Sequence, residues 1–393
     1  MPGSIIVSGA RTPIGKLNGA LASLSATDLG GVAIKAALAR AGVAPEQVDY
    51  VLMGQVLLAG AGQITARQSA AKGGIPLSVP ATTINKVCPS GLHSIYIADL
   101  MIQAGDAEIV VAGGQESMTQ APYLLPGARA GYRAGDQKVV DSMMFDGLTD
   151  AFEHLAMGLS TEQHNAKGPK IGRDRQDAFA AASHERAAIA MKSGRLAEEI
   201  TPVAVPSRKG DVIVESDEGV RPETTVESLG ALKPAFTPDG TITAGNASQI
   251  SDGAAAVVVM SAAAAARLGV SPIGEVVGYG QVAGPDTSLL TQPSQAILAA
   301  LKRRNLALSD VSVFEINEAF ATVALASMDE LGIDPDTVNP NGGAIALGHP
   351  VGMSGTRIAL SLLLELRHRG GGLGAAALCG GGGQGDALLV RSL

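Results

Sequence analysis

The sequence predicts an α/β protein made of two similar halves with a loop-rich insertion between them. Three observations carry this expectation. Short β-branched runs alternate with Ala-rich stretches of helical period, as expected for helices packed on buried sheets. The order of these runs in the second half repeats that of the first. A segment rich in Gly, Met and charge, from 115 to about 249, interrupts the repeat.

Taken in order, Ser4-Ile5-Ile6-Val7-Ser8-Gly9-Ala10 reads as a strand, and 27–41 reads as a helix with Ser25 or Thr27 available as its cap. Residues 48–53, 82–85 and 109–112 read as strands and 91–104 as a helix. In the insertion, 173–193 is helical and 206–221 is a loop. In the second half, 311–314 is placed like 48–51, the helix 355–368 answers 91–104, and Ala375-Ala376-Ala377-Leu378-Cys379-Gly380-Gly381 answers Val110-Val111-Ala112-Gly113-Gly114. The expected division is an N-terminal half at 1–118 completed by about 250–270, a loop domain at 119–249, and a C-terminal half at 271–393.

Composition narrows the function. A chain of 393 residues with 46% hydrophobic content buries a large core, and 3% aromatics without Trp means a core of Ala, Val, Leu, Ile and Met. Fifty glycines imply many tight corners. A net charge of −8 argues against general nucleic-acid affinity. The basic clusters Lys302-Arg303-Arg304 and Arg367-His368-Arg369 sit where they complement helix C-termini. Two cysteines make no disulfide framework, zinc-ligand spacings are missing, and no apolar run approaches the roughly 18–20 residues of a membrane span. With no signal-like leader and no Ser-Lys-Leu terminus, a cytoplasmic enzyme without a metal is expected.

The chemistry centres on three side chains. Cys88 lies in Asn85-Lys86-Val87-Cys88-Pro89-Ser90-Gly91, and Cys379 opens Cys379-Gly380-Gly381-Gly382-Gly383-Gln384-Gly385. A free cysteine is ordinarily an inert small hydrophobe. At a strand-to-helix corner, however, the helix N-terminus is expected to favour the thiolate. His349 ends the apolar segment of Asn341-Gly342-Gly343-Ala344-Ile345-Ala346-Leu347-Gly348-His349-Pro350, and imidazole is the base that activates a thiol near neutral pH. If the halves are duplicates, Cys88-Pro89 and His349-Pro350 occupy equivalent strand-to-helix corners. Pseudo-twofold packing then brings them together.

These segments resemble the signature blocks of the thiolases: Val-Cys-x-Ser-Gly at Cys88, Asn317-Glu318-Ala319-Phe320, the Gly342 to Pro350 run, and Cys379-Gly380-Gly381-Gly382, in thiolase order. The likeness runs from Ala10-Arg11-Thr12-Pro13 to the C-terminus and is nearest the bacterial acetyl-CoA acetyltransferase branch. It implies a five-layer αβαβα core and a homotetramer, the segment 118–144 being similar to a bacterial tetramerisation loop. It also implies reversible condensation of two acetyl-CoA to acetoacetyl-CoA and CoA through an acetyl-cysteine. CoA thioesters are then substrates, and no cofactor is implied.

In the roles the resemblance implies, His349 deprotonates the nucleophile Cys88 and Cys379 removes the methyl proton of the second acetyl-CoA. One oxyanion hole combines His349 with a water held by Asn317, and the other the N–H groups of Cys88 and Gly381. For the CoA portion it implies Ser248 at the pantetheine arm, Arg221 near the nucleotide, and Leu148, Met157, Phe236, Ala244, Ala319 and Phe320 as apolar walls, with Leu289 aligned loosely. Ala156 stands where short-chain members commonly have His, a departure that bears on acyl length. The competing readings are a broader-chain degradative 3-ketoacyl-CoA thiolase, a carrier-protein ketosynthase, which generally lacks a counterpart of Cys379, and a silent acyl-CoA or lipid-binding relative, in which eroded reactive positions are expected.

Overall fold

A computed structural model describes residues 4–393. The first half comprises β1 (Ile5–Arg11), β2 (Gly15–Lys16), α1 (Ala26–Ala41), β3 (Tyr50–Gly54), α2 (Thr65–Lys72), β4 (Ala81–Ile84), α3 (Ser90–Ala104) and β5 (Ile109–Ser117). The insertion carries α4 (Met157–Lys167), α5 (Arg173–Lys192) and α6 (Val226–Gly230), after which β6 (Ser251–Met260) and α7 (Ala262–Leu268) return to the first half. The second half comprises β7 (Gly274–Ala283), α8 (Gln292–Arg304), β8 (Val311–Ile316), α9 (Ala321–Leu331), α10 (Ala344–Leu347), α11 (Ser354–His368), β9 (Gly372–Gly380) and β10 (Gln384–Ser392).

Alternation along the strands builds five layers. In β5, Ile109 and Val111 face α1 and α2, while Val110 and Ala112 face a central layer containing Leu92 and Ile95 of α3 and Ile358 and Leu362 of α11. In β9, Ala376 and Leu378 face that same central layer, while Ala375 and Ala377 face Ile297 of α8 and Ala324 of α9. Each Val, Leu or Ile so enclosed contributes roughly 1.5–3 kcal/mol. The two sheet halves, β4-β3-β5-β6-β1 and β7-β10-β9-β8, join edge to edge where Ile5 and Ile6 of β1 pair with Glu275 and Gly274 of β7. Gly274 is required there, because a Cβ would lie 2.3 Å from Leu363 Cδ2 and 2.6 Å from the Arg391 carbonyl oxygen.

Local signals explain the element ends. Ser25 caps α1 in a reciprocal box, accepting from Asp28 N at 3.2 Å while Ser25 N donates to Asp28 Oδ2 at 3.0 Å, and Gly42 closes it in the left-handed region at φ 64°. The two basic clusters do lie in the last turns of α8 and α11.

Two local expectations are corrected. Within 206–221, Val212–Val214 is a strand pairing with Val203–Val205. The apolar segment before His349 is the one-turn helix α10, because its Ile345 N–H donates to the buried Glu318 carboxylate at 3.0 Å and so makes no strand ladder. Only the Cys88 corner follows a strand. Among the described residues, no helix is long and apolar enough to cross a membrane. No group of three or more His, Cys, Asp and Glu among them is placed to hold a metal ion.

Candidate active site

The central helices α3 and α11 meet at their first turns because each has glycine as its second residue. A Cβ on Gly355 would lie 2.3 Å from Leu92 N, and one on Gly91 would lie 2.8 Å from the Gly352 carbonyl oxygen. This close approach carries the chain before α3, with Cys88, alongside the chain before α11, with His349.

Cys88 sits on a strained corner. Val87, a β-branched residue, is held at φ 52°, in the left-handed region, at a cost of order 1–3 kcal/mol. Ser90 fixes it: its N–H and Oγ donate to the Val87 carbonyl at 3.0 and 2.6 Å, and its Oγ accepts from Lys86 N at 2.8 Å. Burial pushes the Cys88 thiol up to about 12; its own backbone N–H opposes this, and the nearby Glu116 carboxylate adds to it. The thiolate expected from the helix N-terminus is therefore not the resting state, since desolvation outweighs the partial charge there.

His349 is 5% exposed. Gly348 precedes it at φ 111°, where a Cβ would lie 2.4 Å from Ser251 Oγ, and His349 N donates to the Gln249 carbonyl at 3.0 Å. Ser354 Oγ donates to the Pro350 carbonyl at 3.0 Å and lies 2.6 Å from His349 Nδ1. With the hydroxyl proton so directed, Nδ1 is assigned the ring proton and Nε2 the lone pair. Asn317 Nδ2 faces Nε2 at 3.4 Å. Burial and then the Arg357 charge hold the imidazole down at about 3, so it rests neutral.

Cys379, 1% exposed, is the next-to-last residue of β9. Burial, followed by proximity to Cys88, raises its pKa. The glycine turn after it leans on the Cys88 corner: a Cβ on Gly380 would lie 2.9 Å from Pro89 Cδ, and one on Gly381 would lie 3.4 Å from Val87 Cγ1.

Cys88, His349, Cys379 and Gly381 line one cavity of about 60 Å³, walled by Leu148, Met157, Leu289, Ala319 and Phe320. An adjoining pocket of about 230 Å³ shares Leu148, Met157, Ser248 and Phe320 and adds Phe236 and Ala156. Asn317 lies behind His349, fully buried, and its Oδ1 has no hydrogen-bond partner among the described residues.

Two candidate contacts fall outside both cavities. Ala244 is exposed, because Thr243 N donates to Asn246 Oδ1 at 2.8 Å in a turn that projects Ala244 outward. Arg221 is also exposed, its N–H donating to His184 Nδ1 at 3.2 Å.

The structure adds residues that the sequence reading missed. Met118, Ile250 and Val351 line the larger pocket. Glu116, buried beside Cys88, accepts from Val56 N and Leu57 N at 2.9 and 3.1 Å and from Gly352 N at 3.0 Å, linking the two corners. Burial pushes its carboxyl up to about 7. An acidic residue just beyond the apolar run Ile109 to Gly114, near the end of β5, was the available signal.

Known proteins match this chain along nearly its whole length. The thiolase N-terminal domain model matches residues 4–263 and the thiolase C-terminal domain model residues 270–392. The chain is 57% identical to a probable acetyl-CoA acetyltransferase of Mycolicibacterium smegmatis, covering 98% of this chain and 100% of that one. It is 53% identical to the acetyl-CoA acetyltransferase of Cupriavidus necator over 98% of each. The crystal structure of the Bacillus anthracis acetyl-CoA acetyltransferase superimposes with a TM-score of 0.97 at 38% identity, covering 100% of this chain and 99% of that one. The chain belongs to the thiolase family and is an acyltransferase enzyme.

Proposed function

We propose that this protein is an acetyl-CoA C-acetyltransferase working by a ping-pong mechanism. The observation that carries the reading is the convergence of two thiols and a neutral imidazole on one cavity beside an apolar pocket. The relatives' names supply the acetyl-CoA substrate.

His349 Nε2 takes the Cys88 proton as the sulfur attacks the acetyl-CoA carbonyl. The carbon–sulfur bond to CoA breaks, Cys379 gives its proton to the departing CoA thiolate, and the acetyl group stays on Cys88. The Cys379 thiolate then takes a methyl proton from a second acetyl-CoA, whose carbanion attacks the acetyl-Cys88 carbonyl. Collapse releases acetoacetyl-CoA, and Cys88 recovers its proton from His349. The raised pKa of Cys379 suits this step, because a thiolate of high pKa is the stronger base.

The oxyanions are met by His349 with a water oriented by Asn317, and by the N–H groups of Cys88 and Gly381. Each such donor contributes roughly 3 kcal/mol. The unpartnered Asn317 Oδ1 is available to orient that water. The reaction is reversible, and thioester pool sizes decide its direction.

Ala156 lines the larger pocket, which favours some tolerance of longer acyl chains. Each additional buried methylene contributes only about 1–3 kcal/mol to discrimination, so acetoacetyl-CoA is expected to lead with moderate activity on five- and six-carbon substrates. Side-by-side kcat/KM values test this. A value for 3-ketodecanoyl-CoA well above that for acetoacetyl-CoA would establish the degradative reading instead. Ala156→His is expected to sharpen the short-chain preference.

The same reading includes a homotetramer. Tyr123, Leu125 and Phe145, in and beside the 118–144 segment, are exposed apolar surface poorly explained in a monomer. Light scattering is expected to give four chains at micromolar concentration, and a monomer there contradicts the assembly.

A further inference from the structure

A half-buried ion pair joins the two thiol-bearing corners across 300 residues of sequence. Lys86 Nζ lies 2.7 and 2.9 Å from the two carboxylate oxygens of Asp386 and 2.7 Å from Gln281 Oε1. Asp386 is wholly buried and also accepts the Tyr279 hydroxyl. Tyr279 is fixed in turn: its ring stacks on Tyr96 of α3 with centroids 4.1 Å apart, and its hydroxyl lies 3.2 Å from His93 Nδ1.

The placement of the pair is what matters. Lys86 is two residues before Cys88 on the strained corner, and its own N–H is held by Ser90. Asp386 is the ladder partner of Leu378, and the next pair along is Cys379 with Gly385. The ion pair therefore ties the turn that presents the Cys88 N–H to the hairpin that presents the Gly381 N–H. Elsewhere the corners meet through apolar contacts, Gly380 against Pro89 and Gly381 against Val87. Such an ion pair is a poor source of net stability, because desolvating the charges offsets much of their attraction.

We propose that Lys86 and Asp386 are positioning residues whose ion pair sets the separation of the Cys88 and Gly381 N–H groups; the inference rests on the oxyanion-hole assignment above. Neither side chain lines the two substrate cavities, so the pair acts on transition-state geometry rather than on substrate binding.

The test compares Lys86→Met, Asp386→Asn and Lys86→Arg with the wild-type enzyme by steady-state condensation, rapid-quench mass analysis of acetyl-Cys88 and thermal melting. Because a 1 Å misplacement can cost about 100-fold, Lys86→Met and Asp386→Asn are expected to lower kcat about 10- to 100-fold with KM for acetyl-CoA changed less than about threefold. Arg, which retains charge and carboxylate geometry, is expected to recover kcat to within roughly fivefold. A folded Lys86→Met or Asp386→Asn enzyme with kcat within about twofold of wild type overturns the proposal, as does a loss that Lys86→Arg leaves unrecovered. Should Lys86→Met not fold, Asp386→Asn, which keeps a hydrogen-bonding group for Tyr279, decides alone. Failure of the underlying reading is distinct: the wild-type enzyme itself would then carry no acetyl group on Cys88.

Discussion

Cys379→Ala is expected to accept an acetyl group on Cys88 and then stop. The residue is nearly fully buried at the end of β9 and shares the cavity with Cys88, yet only Cys88 stands on the strained corner before α3. Its removal takes away the acid that assists CoA departure and the base that makes the carbanion. CoA thiolate leaves without much help, so acetylation slows but continues, whereas the methyl proton of a thioester does not leave unaided. General acid–base groups contribute about 10²- to 10⁴-fold, and condensation is expected to fall by at least the upper part of that range. The lost sulfur leaves a small void costing on the order of 1 kcal/mol, too little to unfold the protein. Intact-mass analysis beside a condensation assay reads both halves. Condensation within about tenfold of wild type would remove Cys379 from the chemistry.

His349→Ala is expected to fail earlier. With the Cys88 thiol up at about 12 and the imidazole down at about 3, the resting pair is uncharged near neutral pH, and the sulfur has no thiolate population of its own to draw on. Acetylation then depends on proton transfer to Nε2 during attack, and its rate is expected to drop about 10²- to 10⁴-fold in the variant. A drop of less than about tenfold, measured by rapid quench, would show that another group takes the proton.

The same burial has a consequence for stability. His349 and His184, held at about 3 and about 4, bind protons less readily folded than unfolded. Their contribution is complete above the unfolded value of about 6.5 and is lost as the pH falls toward 3.

Much of this was legible in the sequence because duplication and thiol placement are local signals. The helices α3 and α11 can be matched from their places after the Cys88-Pro89 and His349-Pro350 corners, and their glycines 91 and 355 explain why those corners meet. The segment before His349 reads as a strand because Ala344 to Leu347 is apolar without a period; what decides its conformation is the Glu318 carboxylate, a contact no window of sequence displays. The resting charge of Cys88 is hidden from the sequence for a related reason. A helix N-terminus is visible in sequence, whereas the walls that desolvate the thiol come from segments as distant as Leu148, Ala319 and Val351. The bridging role of Glu116 likewise depends on partners far along the chain, Val56 and Gly352.

The most direct measurement is peptide mass analysis of the enzyme quenched after incubation with acetyl-CoA alone. The convergence of thiols and imidazole predicts one acetyl group per chain, on the peptide containing Cys88, absent from Cys88→Ala and discharged by added CoA. An acetyl group found on Cys379, or label retained in full by Cys88→Ala, would contradict it.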